Sequence, residues 1–228
     1  MEFQEWEPFY KAILADFGFD RTADERAGDW LADHVDAVEL EAIGIAPDST
    51  VAIAGAAPSL DADRPVASDA DAVVAASDAG VRLASEGIVP DLIVTDLDGD
   101  PEGTLALAEQ GVHVAVHAHG DNRELLEAYV PQFPRPTLLG TTQAAPVGPL
   151  HNHGGFTDGD RAAFLADAIG AERLTFLGWD FGRASGPKAR KLAWAARLLH
   201  WLERRRSERF DVLDGRRELL DLSGFPDP

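Results

Sequence analysis

The sequence predicts an α/β fold: a mostly parallel sheet wrapped by helices, with a helical addition at the N-terminus. Two observations carry this. From Thr50 onward, short apolar runs alternate with helical patterns, and each run ends in a turn of small or polar residues. Before Thr50, apolar residues recur instead at intervals of three and four, the period of a helix face. The chain therefore divides into an N-terminal helical region, residues 1–48, and an α/β domain, residues 49–228.

In chain order, Phe3, Trp6, Phe9, Tyr10, Ile13, Leu14 and Phe17 form one face of a helix that stops near Gly18. A second helical stripe follows Thr22, the expected cap, through Trp30, Leu31, Val35 and Val38 to Ala42, and ends at Gly44. The expected strands are Val51 to Ala54, Ala72 to Ala76, Leu92 to Val94, Val112 to His117, Thr137 to Leu139 and Leu174 to Leu177. A long helix is expected from Pro187 to Arg205, and the tail from Phe210 to Leu222 is expected to add a strand or hairpin.

Composition excludes several classes. Hydrophobic residues make up 45% of the 228, enough for one sizeable core. No apolar run approaches the roughly 20 residues that span a bilayer, and Met1-Glu2-Phe3-Gln4-Glu5 lacks the basic start of a signal peptide. A soluble cytoplasmic protein is expected. The absence of cysteine removes disulfides, thiol nucleophiles and thiolate metal sites. With 40 acidic against 20 basic residues, the net charge of −20 disfavours nucleic-acid binding, which depends on neutralising phosphates. An aspartate-rich chain whose only lysines are Lys11, Lys188 and Lys191 resembles proteins of salt-loving organisms, where about 1 M salt screens self-repulsion to about 3 Å.

The stretch Pro90-Asp91-Leu92-Ile93-Val94-Thr95-Asp96-Leu97-Asp98-Gly99-Asp100 reads as a buried strand that delivers carboxylates to a loop. Ligands of open α/β sheets bind at the carboxyl ends of strands, and a loop of this kind there can hold Mg²⁺ against a phosphate. Asp96 and Asp98, two positions apart, can face the same way from extended backbone. Upstream, Gly55-Ala56-Ala57-Pro58-Ser59 joins a strand to a helix, so its N–H groups and the Ser59 hydroxyl can meet an anion, although it lacks the Walker lysine. Asp96-Leu97-Asp98-Gly99 also has the opening pattern of a haloacid dehalogenase-like phosphatase, with Asp96 as nucleophile. That family opens its sheet with this motif, whereas two strand units precede it here.

A longer resemblance runs from about Val51 to Leu202. Ala76-Ser77-Asp78-Ala79-Gly80, Leu83, and Gly87-Ile88-Val89-Pro90-Asp91 leading into the acidic loop are similar to the core of thiamin pyrophosphokinase-like proteins. Gly55 to Leu60, His117 to Asn122, Gly154 to Ala162, Leu177 to Gly182 and Lys188 to Leu192 resemble the archaeal branch of that family, the 6-hydroxymethyl-7,8-dihydropterin pyrophosphokinases. The resemblance implies transfer of the β,γ-diphosphate of ATP to a pterin alcohol, with AMP leaving, in a folate or methanopterin-type pathway. It also implies a homodimer and Mg²⁺ held by Asp96, Asp98 and Asp121. The N-terminal helices have no counterpart in the thiamin enzymes. A non-catalytic nucleotide-binding module sharing the Gly55 to Leu60 loop is the third reading.

The expected site follows. Asp96, Asp98 and Asp121 are the catalytic carboxylates and metal ligands. Gly55, Ser59, His119, Asn122, Lys188 and Lys191 contact ATP or its phosphates; two of three lysines within four positions is an unusual concentration in so lysine-poor a chain. His117 and His119 have a spacing that suits zinc, yet no zinc signature spans them and His151/His153. Asn152 and His153 are expected to line the pterin pocket, and Asp180 to accept the amino-pyrimidine edge, since a carboxylate accepts two N–H bonds side by side.

Overall fold

The computed structural model describes all residues 1–228. Two helices, α1 (Phe3–Phe17) and α2 (Arg21–Ala32), precede the alternating series β1 (Thr50–Ala54), α3 (Leu60–Ser68), β2 (Ala72–Ala76), α4 (Ala79–Ser85), β3 (Leu92–Thr95), α5 (Pro101–Ala108), β4 (His113–Ala118), α6 (Arg123–Tyr129), β5 (Leu138–Thr142), α7 (Asp158–Ile169), β6 (Arg173–Leu177) and α8 (Gly186–Arg206). All six expected strands form, five within a residue of their expected bounds and β5 running three residues past its expected end. They pair in parallel in the order β5-β4-β3-β2-β1-β6. The first five strands march one way across the sheet, and the sixth returns to the far side of β1. No helix is long and apolar enough to cross a membrane.

Strand alternation decides which helices cover which face. Val51, Ile53, Val74, Leu92 and Val94 point into a core shared with α1, α7 and α8. Their neighbours point the other way: Ala52, Ala54, Val73 and Ala75 against α3 and α4, and Ile93, Val114 and Val116 against α2, α5 and α6. The result is three layers with the sheet in the middle.

The N-terminal region is part of this packing. Trp6, Phe9, Tyr10 and Ile13 are buried in the same core as the sheet, and Phe9 meets Trp201 and Phe225 edge-on at 5.2 and 4.7 Å. Because α1 lies on one face and α2 on the other, residues 18–20 cross over the carboxyl edge of the sheet. Asp24 fixes the crossing by accepting from the Gly120 N–H at 2.7 Å and from the Tyr10 hydroxyl at 2.8 Å.

Three expectations are corrected. The cap of α2 is Asp20, which accepts from Thr22 N at 2.9 Å, one position before its first helical residue. The helix stops at Ala32, where His34 folds back to bond the Trp30 carbonyl and stacks on its ring; Val35 and Val38 stay buried from non-helical backbone. The tail forms 3-10 turns at Asp211–Leu213 and Arg217–Leu219, with no strand. Here Arg217 binds Glu203 at 2.6 Å and Glu208 takes the Leu174 N–H at the β6 edge, so side chains occupy the place a seventh strand would use.

Removing the Phe9 ring (Phe9→Ala) is expected to cost about 3–5 kcal/mol in denaturant unfolding, whereas Val89→Ala, at a side chain 60% exposed, should stay within about 0.5 kcal/mol of the parent.

Candidate active site

A cleft of about 1010 Å³ runs along the carboxyl edge of the sheet. One end lies between β1 and β6, where strand order reverses, the place where open α/β sheets bind ligands. Gly55 to Pro58 and Gly178 to Asp180 line that end, and Phe19, Asp20, Ala23 and Asp24 line the side where the chain crosses from α1 to α2.

The loop after β3 occupies the middle. Its geometry differs from the extended one expected. Leu97 takes a left-handed conformation (φ 70°), uncommon for a bulky residue, while its side chain is buried beneath the loop. This reversal brings Asp96 and Asp98 together, and the Asp98 N–H bonds Asp96 Oδ1 at 3.2 Å. Gly99 is required by close packing: a Cβ there would lie 2.4 Å from Ser77 Oγ on the β2 loop. Asp100 caps α5 by accepting from Gly103 N at 2.9 Å.

A third carboxylate arrives from the opposite wall. Thr157 and Asp160 form a capping box that fixes the start of α7, and the first residue of that helix is Asp158. Carboxylate oxygens of Asp96, Asp98 and Asp158 all lie within 4.8 Å of one another. Arg161, one turn on and 7% exposed, holds Asp158 at 3.1 Å and Gln143 Oε1 at 3.0 Å. Sequence reasoning missed Asp158 and Arg161, although both lie in the Gly154 to Ala162 block; the signal was an Asp and an Arg on one face of a capped helix start.

The acids respond unequally to their crowding. Burial would raise Asp96, but the His119 hydrogen bond, the contact with Asp98 and the Arg161 charge outweigh it and hold the group well below the usual carboxylate range. Partial burial and then the neighbouring Asp96 push Asp98 up to about 6, against the pull of Lys191. Burial and the Asp96 charge drive Asp158 well above its ordinary value despite Arg161. Three carboxylates that cannot all ionise together are the donor set a divalent hard cation relieves, so these residues fit Mg²⁺.

His119 and Asn122 anchor the loop. The His119 Nδ1 accepts from Asp121 N at 3.3 Å, which leaves the proton on Nε2 to be donated to Asp96 Oδ2 at 3.2 Å. Asn122 donates to the carbonyls of Asp96 and His117 at 2.9 and 2.7 Å and accepts from His119 N at 3.0 Å. Buried and fully engaged, it has no group left for a phosphate; it ties the β3 and β4 loops together.

The other expected residues divide. Gly55, Lys188, Lys191, His119, Asp121 and Asp180 line the cleft. Neither lysine is paired with a carboxylate, whereas Arg190 between them binds Asp16 and covers Phe17. Asp121 lies outside the carboxylate trio, in which Asp158 stands instead. Asp180 accepts from Gly182 N and pairs with Arg183 at 2.9 Å. Ser59 is not part of the cleft lining; its hydroxyl is buried without a partner. Asn152 donates to the carbonyls of Gln143 and Ala144 at 3.1 and 2.8 Å. Asn152 and His153 line a separate cavity of about 20 Å³ with His117 and Arg161. There Thr141 gives its proton to the Val116 carbonyl and accepts from His117 Nδ1, so the His117 Nε2 lone pair faces that cavity without a partner. No zinc-type cluster of histidines forms.

A sheet whose order reverses beside β1, with an acidic trio and unpaired lysines along its carboxyl edge, places this chain among the open α/β proteins that keep their ligand site at that edge. Residues 31–186 match the family described as 6-hydroxymethylpterin diphosphokinase MptE-like, and the chain belongs to that family. It is 42% identical to a protein of Methanothermobacter thermautotrophicus over 90% of this chain and 96% of the relative. It is 36% identical to one of Pyrococcus furiosus over 98% and 100%, and 32% identical to one of Methanocaldococcus jannaschii over 89% and 96%. Each of the three is named 6-hydroxymethyl-7,8-dihydropterin pyrophosphokinase.

The small cavity gives its histidines an acid-sensitive share of the stability. Burial, then the nearby His151, lowers His153 to about 4, and burial with Arg161 lowers His117 well below its ordinary value. Below about 6.5 the unfolded chain binds protons these imidazoles refuse when folded, so their contribution falls as pH drops from about 6.5 to about 4, against the raised Asp98 and Asp158, which bind protons on folding. The difference in unfolding free energy between the parent and His153→Gln, measured across that range, should shift against the parent as pH drops.

Proposed function

We propose that this chain transfers the β,γ-diphosphate of ATP to the hydroxyl of 6-hydroxymethyl-7,8-dihydropterin, releasing AMP, as a step in a folate or methanopterin-type cofactor pathway. The observation that carries the reading is the trio Asp96, Asp98 and Asp158 beside Arg161, midway along the cleft of a chain whose relatives bear that name. The alcohol oxygen forms a bond to the β-phosphorus as its O–H bond breaks and the proton passes to water, and the bond from that phosphorus to the α–β bridging oxygen breaks with its electron pair leaving on AMP.

Negative charge then accumulates on AMP and on the transferred group, and the cleft has to offset it. Arg161 is held in place by Asp158 and Gln143, so its charge is already oriented before substrate arrives. Lys188 and Lys191 stand unpaired at the start of α8 and are free to turn to phosphate oxygens. The backbone of Gly55 to Pro58, at the reversal of strand order, suits a close approach by phosphate. Asp96, Asp98 and Asp158 would hold Mg²⁺, whose role is to offset phosphate charge and align the β-phosphorus. His119 keeps the Asp96 carboxylate ionised and oriented.

With ATP, Mg²⁺ and the pterin alcohol, AMP should appear in step with the pterin diphosphate, and chelating the metal should stop both. Asp96→Asn, Asp98→Asn, Asp158→Asn and Arg161→Met should each lower kcat by about a hundredfold or more. ADP as product would overturn the reading. Phosphate release from small phosphoesters without ATP would favour the Asp96 phosphatase, and nucleotide binding without turnover the non-catalytic module.

A further inference from the structure

We propose that the segment Phe19 to Asp24, which crosses the sheet edge between α1 and α2, recognises the alcohol acceptor: Phe19 stacks on its flat ring and Asp24 takes its amino edge. The nucleotide then occupies the β1/β6 end. This rests on the diphosphokinase reading above and assigns a place within it.

Topology separates the two ends. The reversal of strand order belongs to the end built by the loops after β1 and β6, and the lysines of α8 stand between the two ends, Lys191 acting on Asp98 and Arg190 covering Phe17. The acidic trio stands at β3, so a diphosphate reaching it from that end leaves the β4/β5 side for the second reactant. The crossing segment closes that side, and its anchor Gly120 is next to His119, which is bonded to Asp96. A ring bound under the segment therefore lies beside the reacting centre.

The chemistry there suits a flat heterocycle with an amino edge. Phe19 lines the cleft and is half-buried, its ring stacked on Phe17 at 5.1 Å and 6.4 Å from Phe156, which lines the same wall. A platform braced by other rings loses little freedom when a heterocycle stacks on it. Asp24 also lines the cleft. One of its oxygens accepts from Gly120 N and the other from the Tyr10 hydroxyl. Each carboxylate oxygen can accept twice, so Asp24, 4% exposed, keeps a second acceptor position on each oxygen. Asp180, the acceptor expected from the sequence, lies at the nucleotide end and is paired with Arg183, and Asn152 and His153 belong to the separate small cavity.

Equilibrium binding of 6-hydroxymethyl-7,8-dihydropterin and, separately, of an α,β-methylene ATP analogue with Mg²⁺ tests this in the full-length protein. Phe19→Ala should weaken the pterin about tenfold and leave the nucleotide within about twofold, while Phe19→Trp restores pterin affinity, which a merely structural ring would not do. Asp24→Asn keeps an oxygen for Gly120 N and a donor for Tyr10, so it should fold with an unchanged melting temperature and still lose pterin about tenfold. If the wild type turns over ATP with the pterin alcohol but Phe19→Ala and Asp24→Asn bind pterin normally or lose nucleotide instead, the assignment of this segment falls alone. A wild type that binds no pterin alcohol overturns the diphosphokinase reading, and this inference with it.

Discussion

Three carboxylates with oxygens within 4.8 Å of one another cannot all be charged unless something positive stands among them, and much of the carboxyl edge is arranged around that constraint. Two elements bring the acids together: a left-handed Leu97 turns Asp98 back on Asp96, and a capping box aims Asp158 across the cleft. Their mutual repulsion persists in the fold because the surroundings over-determine it. Asn122 ties the β3 and β4 loops through the Asp96 and His117 carbonyls, His119 holds one Asp96 oxygen, and Arg161 braces Asp158 against Gln143. On the function proposed above, a divalent cation bound among the three would relieve that repulsion.

The helices before Thr50 connect that centre to the rest of the molecule. Helix α1 contributes Trp6 and Phe9 to the core under α7 and α8, so the wall carrying Asp158 and Arg161 is buttressed from behind. The chain then crosses the sheet edge and is pinned to the β4 loop through Asp24. One segment thereby serves as core, as clamp on the loop that carries His119, and as the end wall of the cleft.

The strand units were legible because each is a short apolar run closed by a turn, and a sheet buried on both faces needs just that pattern. The Asp96 loop was legible for the same reason, being the continuation of one such run. What sequence could not reveal was assembly. Asp158 and Arg161 sit about sixty residues downstream, and nothing local marks them as partners of Asp96 until α7 is laid across β2 and β3. Asn122, Asn152 and His153 looked like polar residues awaiting a ligand, yet the first two are turned inward to satisfy buried carbonyls, and His153 borders a cavity with room for about one water. Asp100 and Asp91 show the same rule in an acidic chain: the one caps α5, and the other takes the Val73 N–H. Burial and partners, invisible in the linear text, separate such carboxylates from those that meet a substrate.

The trio as the cation site can be tested without turnover. Crystals grown with Mn²⁺ and a non-hydrolysable ATP analogue should give an anomalous difference peak within coordination reach of Asp96, Asp98 and Asp158, and Asp158→Asn should weaken it. A strong peak at Asp121 that ignores Asp158, or bound nucleotide with no metal between these three carboxylates, would contradict it.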